Sequence, residues 1–106
     1  MNSFLRRFEI LLPRQFNDGT LVPENLISNT LFELREKFGA VSLETQTIRG
    51  IWEHEGLLYR DDLVRVYVDV SDNEENQQFF RDLKEELKTR FGQLEIRVTT
   101  FLVEVY

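Results

Sequence analysis

The feature that most constrains the fold is an internal repeat whose offset, 53 residues, is half the length of the chain. The end of one predicted helix recurs in a second: Glu33, Leu34, Phe38 and Gly39 align with Glu86, Leu87, Phe91 and Gly92. The apolar positions after these helix ends recur too: Val41, Leu43 and Ile48 align with Leu94, Ile96 and Phe101. The repeat predicts two similar halves, each containing a helix followed by a strand.

Apolar spacing places the remaining elements. Alternation predicts strands at residues 4–12 and 63–70, and the second of these has Val64, Val66, Val68 and Val70 on one face. Residues 40–52 are predicted to form a strand because they are rich in valine, threonine and isoleucine, but their alternation is imperfect and does not assign the two faces. Helical spacing predicts helices that end near Gly39 and Gly92, and overlapping capping boxes at Ser71 and Asp72 predict the start of the second. A final strand is predicted over residues 94–106, and its change of phase near Thr99 and Thr100 predicts a bulge.

The resulting order is β-α-β-β-α-β, which is typical of the ferredoxin-like arrangement of two split β-α-β halves. We therefore predict an α+β fold in which a four-stranded antiparallel sheet has two helices on one face. With 106 residues the chain is predicted to form one domain, residues 1–106.

Composition narrows the possible functions. The chain has no cysteine, which excludes disulfides and thiolate metal sites, and its one histidine argues against a multi-histidine metal site. Its net charge of −6 disfavours nucleic acid and anionic lipid as partners. It has no apolar run of about 20 residues and no signal peptide, so we expect a cytoplasmic protein with no membrane partner. No cofactor and no metal are predicted.

A candidate site follows from the topology. The loop after the first strand, residues 13–22, is longer than its counterpart in the second half, and it leaves the sheet at the same end as the hairpin between strands two and three. From this end we predict ligand-binding residues Arg14, Asn17, Asp18 and Arg60, and catalytic residues His54, Asp61 and Asp62.

Three interpretations of this end remain open. In the first, His54 is a general acid or base, Asp61 or Asp62 orients its imidazole, and Arg60 binds a carboxylate or phosphate. In the second, Asp18, Asp61 and Asp62 hold a hard cation such as magnesium or calcium. In the third, the hairpin is a solvated, charged tip that contains no site. Trp52 either covers the edge of the core or stacks on a ligand, and packing is the favoured interpretation.

The sheet face without helices is predicted to carry Arg7, Glu9, Arg65, Tyr67, Asp69, Glu95, Arg97 and Phe101. The mixture of signs predicts cross-strand ion pairs. Three interpretations of this face compete: it is exposed to solvent, it binds single-stranded RNA, or it pairs with a second copy. We favour a homodimer formed through the open face or the edge strands.

Three segments, Phe16–Gly19, Phe38–Val41 and Tyr59–Val64, resemble those of a family of small, uncharacterised bacterial proteins of about 100 residues. The resemblance implies a bacterial cytosolic origin and carries no established activity. At fold level the chain resembles ferredoxin-like domains, including those that dimerise as α/β barrels. This fold hosts enzymes, binding modules and RNA binders, so it does not select among them.

Three functions are therefore carried forward, in order of preference. The leading hypothesis is a small, non-enzymatic binding or assembly module that forms a homodimer and has a possible small-molecule ligand. The alternative is a small-molecule enzyme of the dimeric α/β-barrel type that uses the loop and hairpin end. Nucleic-acid binding is third, because the acidic charge disfavours it.

Overall fold

The computed structural model describes residues 3–106, in which four strands and two helices follow one another in the predicted order. In chain order the elements are β1 (Ser3–Pro13), α1 (Glu24–Phe38), β2 (Ser42–His54), β3 (Leu57–Val70), α2 (Glu74–Arg90) and β4 (Val98–Val105). The strands form one sheet in the order β2-β3-β1-β4, and all neighbouring strands are antiparallel. The predicted ferredoxin-like α+β fold is confirmed.

The core lies between one face of the sheet and the two helices. Alternate residues of the central strands face the helices, because successive strand residues point to opposite faces. Their side chains are buried, namely Phe8, Ile10, Leu12, Val64, Val66, Val68 and Val70. Phe80 of α2 is also buried and stacks on Phe8, with ring centroids 4.0 Å apart. The other face of the sheet carries no helix, and we call it the open face.

The helices end where the sequence predicts, but α2 begins differently. α1 ends at Gly39, whose φ of 85° is left-handed and whose N–H donates to the carbonyl of Arg35. α2 is capped by Asn73, whose side chain accepts a hydrogen bond from the amide of Asn76. The capping predicted for Ser71 or Asp72 is wrong, because the Asp72 carboxylate pairs with Arg6 of β1 at 2.6 Å. Neither helix of the described chain is long and apolar enough to span a membrane.

The irregularity of the sheet lies in β2 rather than in β4. The register of β4 against β1 is unbroken from Ser3 opposite Val105 to Ile10 opposite Val98, so the bulge predicted near Thr99 and Thr100 is wrong. The sequence changes phase there because Val98 lies on the helix-facing side, whereas Phe101, Val103 and Val105 lie on the open face. In β2, three residues between Glu44 and Ile48 lie opposite one residue of β3, which explains the imperfect alternation of this strand.

The β2–β3 hairpin projects beyond the rest of the sheet. Pairing between these strands continues to His54 opposite Leu57, whereas β1 ends at Pro13, opposite Leu63. The two-residue turn at Glu55 and Gly56 has positive φ at both positions, as a tight hairpin turn requires. The radius of gyration is 14.6 Å, against about 13 Å for a compact chain of this length. We call residues 49–62 the hairpin arm.

Candidate ligand-binding site

The middle of the open face is a ladder of ion pairs. Two guanidinium nitrogens of Arg7 donate to the Asp69 carboxylate at 2.7 and 3.0 Å, and Arg65 lies between Glu9 and Glu44 at 3.7 and 3.3 Å. The hydrogen bond to Asp69 raises the pKa of Arg7 above its ordinary value. The predicted cross-strand ion pairs between β1 and β3 are therefore present, and they compensate one another's charge.

Next to this ladder, toward the hairpin arm, the open face contains a cavity of about 310 Å³. We call it the open-face cavity. Its apolar lining comes from β1, β2, β3 and the segment before β4, and includes Leu11, Pro13, Gly50, Leu63 and Ile96. Gly50 helps to keep the space open, because a Cβ at this position would contact Leu63 Cδ1 at 3.4 Å. A cavity of this volume falls at the small end of the range for ligand sites.

Trp52 and Asp61 line one wall of the open-face cavity. Trp52 of β2 lies opposite Tyr59 of β3, and their rings stack with centroids 4.4 Å apart. The indole N–H of Trp52 donates a hydrogen bond to the carboxylate of Asp61, the next residue of β3 on the same face. Stacking and hydrogen bonding together fix the ring and orient the carboxylate. A carboxylate accepts several hydrogen bonds, so Asp61 keeps acceptor capacity for a ligand.

The opposite rim carries two charged residues from the segment before β4. A carboxylate oxygen of Glu95 accepts from the amide of Ile96 and lies 3.0 Å from Lys84 Nζ. The hydrogen bond from Lys84 lowers the pKa of Glu95 below its ordinary value. Arg97 also lines the cavity, and its carbonyl accepts from the amide of Leu11 at 3.1 Å. The open-face cavity therefore has an apolar floor between polar groups of both signs.

The loop and hairpin end predicted from the sequence forms a second, smaller cavity of about 100 Å³. The loop between β1 and α1 meets the arm here, and the amide of Arg14 donates to the carbonyl of Asp62 at 2.8 Å. Four predicted residues line this cavity, namely Asn17, Arg60, Asp61 and Asp62. Their roles stay predictions. Because Asp61 lines both cavities, it belongs to the predicted end and to the open face.

Arg14 and Asp18 are engaged elsewhere. The Arg14 guanidinium donates to the hydroxyl of Thr47 at 2.7 Å. The Asp18 carboxylate accepts from the amide and hydroxyl of Thr20 at 2.9 and 2.6 Å, an arrangement that closes the loop, and the bond from the hydroxyl lowers the pKa of Asp18. Among residues 3–106, no three histidine, aspartate or glutamate side chains are grouped so that they could hold a metal ion. The structure therefore does not assemble the cation site considered from the sequence.

His54 lies at the tip of the arm and lines neither cavity. Its Nε2 is 3.8 Å from a carboxylate oxygen of Glu55, and its ring centroid is 6.2 Å from that of Trp52. Asp61 and Asp62 occupy opposite faces of β3, and Asp62 pairs with Arg49 at 3.3 Å rather than with Arg60. The structure does not bring the three predicted catalytic residues together.

Sequence reasoning missed most of the open-face cavity. It interpreted Trp52 as packing, and it did not consider Leu11, Gly50 or Leu63 as site residues. One signal was available: a glycine inside a strand often marks a place where another group approaches closely. The rest depends on contacts between strands that are distant in sequence.

A third cavity, of about 390 Å³, lies between α1 and β2 on the helix side. It is lined mainly by apolar side chains, including those of Leu21, Ile27, Leu31 and Leu43. Its arginine, Arg14, already donates to Thr47. The open-face cavity is the better candidate, because its lining combines apolar area with an oriented carboxylate and charges of both signs.

Comparison with known proteins shows the fold and not a family. The sequence matches no protein-family model and no curated protein. A phage SAM lyase in complex with S-methyl-5′-thioadenosine is structurally similar, with a TM-score of 0.69 and 15% identity over 95% of this chain and 88% of that chain. CutA from Synechococcus elongatus has a TM-score of 0.63 and 10% identity over 99% of this chain and 83% of its own. A divalent cation tolerance protein from Thermus thermophilus has a TM-score of 0.59 and 16% identity over 95% and 82%.

Proposed function

We propose that the protein is a small-molecule binding module that associates with a second copy of itself. Small-molecule binding is supported by the open-face cavity, where the Trp52 indole holds the Asp61 carboxylate in place through a hydrogen bond. A pre-oriented carboxylate beside apolar area recognises a molecule that has an apolar body and hydrogen-bond donors. Nucleosides have this character, and S-methyl-5′-thioadenosine, which is bound by a protein of the same fold, is the probe we choose.

Binding is tested by titrating the protein with S-methyl-5′-thioadenosine and following tryptophan fluorescence, because Trp52 is the one tryptophan in the chain. We expect a saturable change in emission. Asp61→Ala should weaken binding about tenfold, since it removes a charged hydrogen-bond acceptor. Asp62→Ala is the matched control, because Asp62 faces the other side of β3 and should leave affinity unchanged. No saturable change with the wild-type protein would overturn the assignment of a nucleoside ligand.

The hairpin arm supports the proposed association with a second copy. Its apolar side chains Ile51, Leu57 and Leu58 are 62%, 61% and 63% exposed, and no helix of the described chain covers them. Apolar side chains on a projecting hairpin lose contact with water when a second copy packs against them. A two-fold homodimer is the commonest way in which soluble chains achieve this.

Native mass spectrometry of the untagged protein tests the association, and it also detects any retained small molecule. We expect a dimer that Leu58→Glu converts to a monomer. Leu94→Glu is the control, because Leu94 is similarly exposed, at 57% against 63% for Leu58, but lies outside the arm. A wild-type monomer, or a dimer that persists in Leu58→Glu and dissociates in Leu94→Glu, would contradict association through the arm.

A second candidate function is cleavage of S-adenosylmethionine, favoured by the structural likeness to the phage SAM lyase. When the bond between the sulfonium sulfur and the γ-carbon breaks, its electron pair stays on sulfur and gives S-methyl-5′-thioadenosine. The substrate's own carboxylate bonds to the γ-carbon, so the amino-acid fragment leaves as homoserine lactone. Incubation with S-adenosylmethionine and chromatography of the products tests this activity. The enzyme hypothesis requires product formation that Asp61→Asn reduces. If His54→Ala leaves the rate unchanged, the predicted acid–base role of His54 is wrong.

A further inference from the structure

Arg97 has a defined place on the open face, where none of residues 3–106 pairs with its charge. Its carbonyl accepts the hydrogen bond from Leu11 that continues the β1–β4 ladder past Ile10 and Val98, so Arg97 lies on the same face of the sheet as Leu11. Within residues 3–106, its guanidinium makes no hydrogen bond and no ion pair, although it lines the open-face cavity. It therefore leaves a fork of N–H donors available at this rim.

The two carboxylates that line the cavity do not neutralise Arg97. Asp61 lies on β3, on the far side of β1 from Arg97, and it binds the Trp52 indole. Glu95 pairs with Lys84 of α2. The cavity therefore has a negative end at Asp61 and a positive end at Arg97, with the apolar floor between them.

We propose that the open-face cavity binds a molecule that is charged at one end: hydrogen-bond donors lie at Asp61 and a carboxylate lies at Arg97. A guanidinium binds a carboxylate through two parallel hydrogen bonds. A carboxylate fits better than a phosphate, because Asp61 and Glu95 line the same cavity and repel a dianion more strongly than a monoanion. This assignment rests on the proposed binding function and specifies the chemical class of its ligand.

A matched pair of probes tests the assignment. S-methyl-5′-thioadenosine and S-adenosylhomocysteine share an adenosine with a 5′-thioether, but only the second carries an amino-acid end with a carboxylate. We expect the wild-type protein to bind S-adenosylhomocysteine about tenfold more tightly. Arg97→Gln should abolish this difference and leave the affinity for S-methyl-5′-thioadenosine unchanged. Arg81→Gln is the control, because Arg81 lies on α2 and pairs there with Glu74.

The outcomes separate this inference from the proposed function. If both probes bind the wild-type protein equally, the cavity binds nucleosides but the carboxylate at Arg97 is wrong. If adenosine 5′-monophosphate binds more tightly than S-adenosylhomocysteine, the anion is a phosphate and the carboxylate assignment is overturned. If Arg97→Gln weakens both probes alike, Arg97 supports the fold rather than the ligand. If neither probe binds the wild-type protein, the nucleoside function and this inference fail together.

Discussion

Trp52 donates its indole hydrogen bond to Asp61, although it lies opposite Tyr59 in the β2–β3 register. Tyr59 stacks on the same ring, so two consecutive open-face residues of β3 hold Trp52 in position. These side chains lie on the open face, on the other side of the sheet from the helices that cover the core. Substitutions there should therefore test the cavity wall with little effect on the core.

Asp61→Ala and Asp61→Asn should differ in stability. Alanine leaves the indole N–H without its acceptor, whereas asparagine keeps a carbonyl oxygen in place. We expect Asp61→Ala to lower the free energy of unfolding by about 1 kcal/mol and to change the tryptophan emission. Asp61→Asn should lose less than half of that amount. Urea denaturation followed by fluorescence measures both, and an Asp61→Ala variant as stable as the wild type would show that the hydrogen bond contributes nothing.

Gly50→Ala and Gly56→Ala should change stability in opposite directions. The Cβ added at Gly50 meets Leu63 Cδ1 at ordinary contact distance, so the variant should be about 0.5 kcal/mol more stable while its ligand affinity falls. Gly56 has a φ of 78° in the hairpin turn, so alanine there should destabilise the protein by about 1 kcal/mol. Thermal unfolding combined with the fluorescence titration measures both effects. Unchanged ligand affinity in Gly50→Ala would place the ligand outside the cavity.

Phe80→Ala should be among the most destabilising core substitutions. Phe80 is 1% exposed, and its ring stacks between Phe8 and Phe38. We expect a loss of about 3–5 kcal/mol in the free energy of unfolding. Phe32→Ala is the matched control, because Phe32 is 57% exposed on α1 and should cost less than about 1 kcal/mol. A small loss for Phe80→Ala would contradict the packing described for the core.

The Arg6–Asp72 pair should contribute to acid sensitivity. The hydrogen bond from Arg6 lowers the pKa of Asp72 in the folded state. A carboxyl whose folded pKa is lowered stabilises the protein above its unfolded pKa, and this stability is lost as the pH falls through the folded pKa. The melting temperature should therefore fall between about pH 5 and about pH 2. The fall should be smaller in Asp72→Asn but unchanged in Glu75→Gln, since Glu75 is an exposed carboxylate nearby. An identical acid dependence in Asp72→Asn and the wild type would contradict this role.

The fold could be predicted because its signals are local. The alternating valines of β3 and the apolar spacing of both helices follow directly from which face each element buries. The repeat added the symmetry of two similar halves, which favoured the ferredoxin-like arrangement. Gly39 ended α1 as predicted, since a left-handed residue is needed there and glycine adopts it without strain.

The features that could not be predicted depend on residues that are distant in sequence. Asp72 has the sequence position of a helix cap, but its carboxylate accepts a hydrogen bond from Arg6, which lies 66 positions away.

The candidate site was predicted in part. Asn17, Arg60, Asp61 and Asp62 line one cavity, as the topology predicts. The role of Trp52 was not predicted, because the irregularity between Glu44 and Ile48 breaks the alternation from which the face of Trp52 could be assigned.

The pairing of β1 with β4 also bears on how the protein is made. Arg6 and Thr100 contact each other across 94 positions of sequence, so β1 lacks its second neighbour until β4 has been synthesised. Contacts of such long range slow folding, because the chain between the two strands loses conformational entropy before their pairing can stabilise the fold. During synthesis β1 therefore offers an unpaired edge to other nascent chains. We expect a chaperone that shields β-edges to raise the yield of this protein more than it raises that of a helical protein of equal length.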